Sequence, residues 1–67
     1  MKINREILVN LAIEKGYGKK DLAEKAGVTF ITVYKAFNGD SISLKSAGKL
    51  ATALGVSPSE LIVFKNK

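Results

Sequence analysis

Short apolar stripes alternate with glycines along this chain, and that rhythm predicts five short helices. Ile7, Leu8, Leu11 and Ala12 recur at helical spacing. Asn4 before them is a good N-cap, Ile3 is placed to staple to Leu8, and Gly16 sits where a C-terminal cap belongs. A second stripe, Leu22, Ala23 and Ala26, predicts a helix from Lys19 to Lys25 with Asp21 in its first turn and an Asp21–Lys25 pair four residues apart. Gly27 ends it. Thr29 caps a third helix that runs to about Phe37 and closes at Asn38-Gly39. Asn-Gly also signals a hairpin, but its flanks do not alternate, so a helix end is the reading. Ser43 caps a fourth, with Leu44, Ala47, Leu50, Ala51 and Leu54 as its apolar stripe and Gly55 at its end. Gly48, the one glycine inside a periodic segment, is expected to let a neighbour come close. Ser57-Pro58-Ser59-Glu60 reads as a capping box with proline at the first position of a fifth helix, from which Leu61 and Ile62 pack inward. The segment from Val63 to Lys67 either finishes that helix or turns extended.

Composition narrows the function. The chain has 67 residues, 46% of them hydrophobic and 25% charged, which predicts one small globular domain over 1–67 with a modest core. With no cysteine and no histidine, disulfides, thiolate or imidazole metal sites, and Ser-His or Cys-His catalysis are all removed. Gly16-Tyr17-Gly18-Lys19 lacks the Ser or Thr and the preceding strand of a phosphate loop. Asp21 and Glu24 lack a third ligand for a metal. The reading is of a protein that is not an enzyme and has no cofactor, no metal and no evident small-molecule ligand. The longest strongly apolar run is Leu61 to Phe64, so neither a membrane span nor a signal-peptide core is expected, and the location read is cytoplasmic. Eleven basic residues face six acidic ones, a net charge of +5, which makes nucleic acid the first partner to consider and an anionic membrane surface the second.

The second and third helices are separated by a three-residue turn containing Gly27, which is a helix-turn-helix arrangement. The stretch Lys19 to Gly39, KKDLAEKAGVTFITVYKAFNG, resembles the helix-turn-helix of the Cro/C1-type (XRE-like) family of bacterial and phage DNA-binding regulators. LATALGVS resembles the family's fourth helix and GVSPSELI its closing one. Ala23 is small where two helices cross, and Gly27 suits a left-handed turn. Leu22, Ala26, Val28, Val33 and Ala36 fix the angle between the helices. Two positions depart from the pattern. Lys19 stands where the family often has Gln. Ala12 and Phe37 stand where many members pair Arg with Glu, which places Phe37 in the core.

The resemblance implies an all-α, five-helix lambda-repressor-like DNA-binding domain. It implies a sequence-specific regulator of double-stranded DNA, a phage, mobile-element or bacterial repressor acting as a homodimer on a palindromic operator. By family position, Phe30, Ile31, Thr32 and Lys35 contact base edges. Lys35 donates to guanine, Thr32 bonds several bases, and Phe30 and Ile31 touch thymine methyls. Phe30 has folding back onto the core as its alternative, and Ile31 a protein contact. Phosphate contacts fall to Lys19, Lys20, Thr29, Tyr34, Asn38, Gly39, Ser43 and Lys45, with Tyr34 open to being an ordinary exposed tyrosine. Ile62, Val63 and Phe64 are the expected dimer contacts, or else they cover the monomer core. The rival function is a protein-interaction module, antitoxin-like or antirepressor-like, with Phe30, Ile31 and Tyr34 as its apolar patch.

Overall fold

Three of the helices begin where a polar side chain takes over backbone N–H groups that the first turn leaves without partners. In the computed structural model, which describes residues 2–62, the helices are α1 (Arg5–Lys15), α2 (Lys19–Ala26), α3 (Phe30–Asn38), α4 (Leu44–Leu54) and α5 (Pro58–Leu61). The Asn4 side chain accepts from the N–H groups of Glu6 and Ile7 at 3.2 and 3.3 Å. Thr29 accepts from Thr32 N–H at 3.3 Å and Ser43 from Ser46 N–H at 3.1 Å. Such a cap is worth about 1 kcal/mol. The two ends of the described chain meet: Ile3 forms an antiparallel bridge with Ile62, and Asn4 N–H donates to Leu61 C=O at 2.6 Å. No strand forms among the described residues, so the fold is all-α.

The inner faces converge on one core built around Leu8, Leu22, Val33, Leu50, Leu54 and Leu61, with no polar or charged residue buried among the described residues. α2 packs against α3 and α4, α4 carries α5, and α1 closes across α3 and α5. Ile3 and Leu8 are both buried in this core, as the staple requires. Ile42 and Ala47 stand in the same relation around the Ser43 cap and are both buried.

Several expectations are corrected. Leu44 is 65% exposed, because at the first position of α4 it precedes the part of the helix that meets a neighbour, and Ile42 is buried in its place. Ile7 lies at the edge of the α1 stripe and is exposed. Nothing lies within 4 Å of a β-carbon placed at Gly48, so no neighbour approaches there. Ser57 makes no side-chain cap; its hydroxyl pairs with the nearby Ser59 hydroxyl at 2.8 Å, and α5 keeps only Pro58 at its first position as a start signal. Asp21 and Lys25 each turn elsewhere. The Asp21 carboxylate accepts from Gly18 N–H at 3.1 Å, and Lys25 Nζ lies 5.9 Å from the Tyr17 ring centroid. The helix ends at Leu61 and the backbone at Ile62 is extended (φ −89°, ψ 139°). Val63 and Phe64 lie outside the described residues.

Candidate nucleic-acid interface

The turn Gly27-Val28-Thr29 sets α3 across α2. Gly27 has φ +73°, a conformation that a β-carbon disfavours, while its N–H and that of Val28 both donate to Ala23 C=O, at 2.9 and 3.1 Å. Leu22 and Ala23 of α2 and Val33 and Ala36 of α3 are buried, with Ala26 and Val28 packed at the margin. One side of α3 is thereby fixed in the core and the other is left in water.

That outward side carries Phe30, Ile31 and Tyr34, which are 50%, 65% and 51% exposed, together with the exposed Lys35. Phe30 does not fold back onto the core. Its ring stacks on that of Tyr34, one turn away, with centroids 6.4 Å apart and planes 25° apart. Thr32 is half-buried, and its hydroxyl lies 3.0 Å from that of Thr29. Two hydroxyls share one such bond, so one proton of the pair is spent and one remains to be donated outward.

The phosphate-contact residues fall into separate groups. Lys19 is half-buried at the start of α2, and its ammonium lies 5.2 Å from the Phe37 ring centroid, at the C-terminal part of α3. Lys20 is exposed beside it. The Gly18 N–H at this helix start is already held by Asp21, so anion attraction there falls chiefly on the two ammonium groups. Asn38 is exposed at the last position of α3. Gly39 is not a free donor, since its N–H is held by Ala36 C=O at 3.1 Å. Nor is Ser43, whose hydroxyl donates to Ser46 Oγ at 3.0 Å; the free proton of that pair is on Ser46. Lys45 is exposed and lines a shallow groove with Lys25 and Lys49 between the end of α2 and α4.

Arg5 was not singled out from the sequence. Its Nε donates to Phe37 C=O at 3.2 Å, which brings a guanidinium from α1 to the C-terminal end of α3, where a cation is favoured. Ala12 is buried and Phe37 is half-buried against the core, so the ion pair absent from those positions is answered by a charge-assisted bond from elsewhere on α1. The two residues lie 32 apart in sequence, and no local pattern announces such a contact.

Among the described residues, no group of three or more acidic side chains is placed to hold a metal, and no helix is long and apolar enough to cross a membrane. A protein-family model described as helix-turn-helix matches residues 9–61. No curated protein and no solved structure matches the chain at a significant level.

Proposed function

The chain belongs to the Cro/C1-type helix-turn-helix family of DNA-binding regulators, and we propose that it is a repressor, a single domain over 1–67, that binds a palindromic operator as a homodimer. The observation that carries this reading is the split of α3: Val33 and Ala36 are locked in the core while residues 30, 31, 34 and 35 face water on a basic body. A helix held so firmly by one side is suited to enter a major groove with the other. Lys35 would donate to a guanine edge, and Thr32 and Ile31 would contact bases beside it. Lys19 and Lys20 would hold phosphates on one flank, with Asn38, Ser46 and Lys45 following in the chain. One module reaches one half-site, and a two-fold axis supplies the second. Ile62, half-buried where it pairs with Ile3, marks the end of the molecule at which we place the dimer contact. Repression would follow from occupying a promoter, and the protein would be a binding protein without catalysis.

Selection from a random duplex library, followed by binding measured against salt, tests this. The expected result is an enriched palindrome with half-sites about one helical turn apart, and affinity that falls with a slope of about −0.9 per phosphate contacted. The exposed stack of Phe30 and Tyr34 beside Ile31 favours one rival, an apolar protein-contact patch. Absence of any enriched duplex, with a partner whose binding is indifferent to salt, would support that rival.

A further inference from the structure

Residues 30–35 of α3 hold no Arg, Asn, Gln, Asp or Glu. Within residues 30–35 no side chain can make the two-pronged pairing that reads adenine, and Lys35 is the only cation there that can donate to guanine. Thr32 is tied back to the N-cap through Thr29, and Lys35 is a single point of charge. What the face presents is apolar: Ile31 standing out into water, and the stacked rings of Phe30 and Tyr34. The apolar group on a base edge in the major groove is the 5-methyl of a pyrimidine. Lys19, Lys20 and Lys35, on a chain of net charge +5, supply the complementary charge that brings a duplex to that face.

Resting on the DNA-binding reading above, we infer that α3 recognises 5-methylpyrimidines, with Ile31 as the residue that senses the methyl group. Thymine carries that methyl, and so does 5-methylcytosine. The operator is thus rich in thymine at the positions facing Ile31 and Phe30. At a cytosine in such a position, methylation tightens binding.

The test runs two selections in parallel, one from a thymine library and one from a library with deoxyuridine throughout, which lacks only the methyl. The thymine library is expected to yield an enriched site. Each deoxyuridine placed opposite the reading face of that site should weaken binding about fourfold, the worth of one buried methyl. A cytosine substituted at such a position should bind more tightly once it is 5-methylated. Ile31→Ala should bind the thymine and deoxyuridine sites alike, and because Ile31 lies in solvent its circular dichroism and melting should match the parent. Equal affinity of the parent for the two sites overturns the inference and leaves the DNA-binding reading standing. So does an Ile31→Ala variant that keeps the full difference. Enrichment from neither library overturns both, and the apolar face then belongs to a protein contact.

Discussion

A methyl group added at Gly48 would meet nothing within 4 Å, on a backbone that is already helical. Gly48→Ala is therefore expected to raise stability by about 0.5–1 kcal/mol, the helix preference of alanine over glycine. Space is equally open at Gly27, but there φ is +73°. Gly27→Ala is expected to lower stability by roughly 1–2 kcal/mol through backbone strain alone. Urea midpoints of the two variants should move in opposite directions, and a shift of the same sign in both would mean that local backbone does not decide either. Lys19 acts at the same scale on a different observable. Its ammonium sits over the Phe37 ring. Lys19→Ala should weaken binding to every duplex alike and reduce the salt slope by about one. Lys35→Ala should instead relax the preference at one base pair, by about 1 kcal/mol, the low end for a contact that is not two-pronged. A loss confined to particular sequences in Lys19→Ala would place that lysine among the base contacts.

The elements were legible where their causes are local. Asn4, Thr29 and Ser43 announce helix starts because each cap reaches only two or three residues along the chain, and the structure has all three caps. Thr29 to Gly39 frames α3 to within one residue for the same reason. Ser57 misled because a hydroxyl two residues away competes for it, and Leu44 because periodicity does not say where a stripe begins to meet a neighbour. Residue type names Gly39 and Ser43 as donors, but only the fold shows that the Gly39 N–H and the Ser43 hydroxyl already have partners. Arg5 was invisible, since its partner is a backbone carbonyl that any residue at position 37 would offer. That contact ties α1 to the end of α3. Arg5→Ala is expected to lower stability by about 0.5–1.5 kcal/mol and to speed amide exchange in the last turn of α3 more than in its first. Protection unchanged across α3 would show that core packing alone holds that end.

At the scale of the molecule, the described residues share one small core with no disulfide to brace it, so the margin of stability is narrow and a bound duplex weighs heavily on it. A ligand that binds only the folded chain stabilises it by about 2.7 kcal/mol at a hundred times its Kd, which for a domain of this size is roughly 10–20 °C in Tm. Duplex DNA carrying the selected operator is expected to produce such a rise, and duplex of unrelated sequence a smaller one. Salt then separates the charged part of the surface from the apolar part. If about six phosphates are neutralised, affinity falls by roughly a thousandfold between 50 and 200 mM salt. The rise in Tm should shrink accordingly, once the free protein at each salt is subtracted, because salt also screens the repulsion within a chain of net charge +5. The methyl contacts are not ionic. The difference in Tm between thymine and deoxyuridine operators should therefore persist across the salt range in which both still bind, while the rise common to both declines. A difference that declined in step with the common rise would assign the whole effect to charge and leave Ile31 without a part in it.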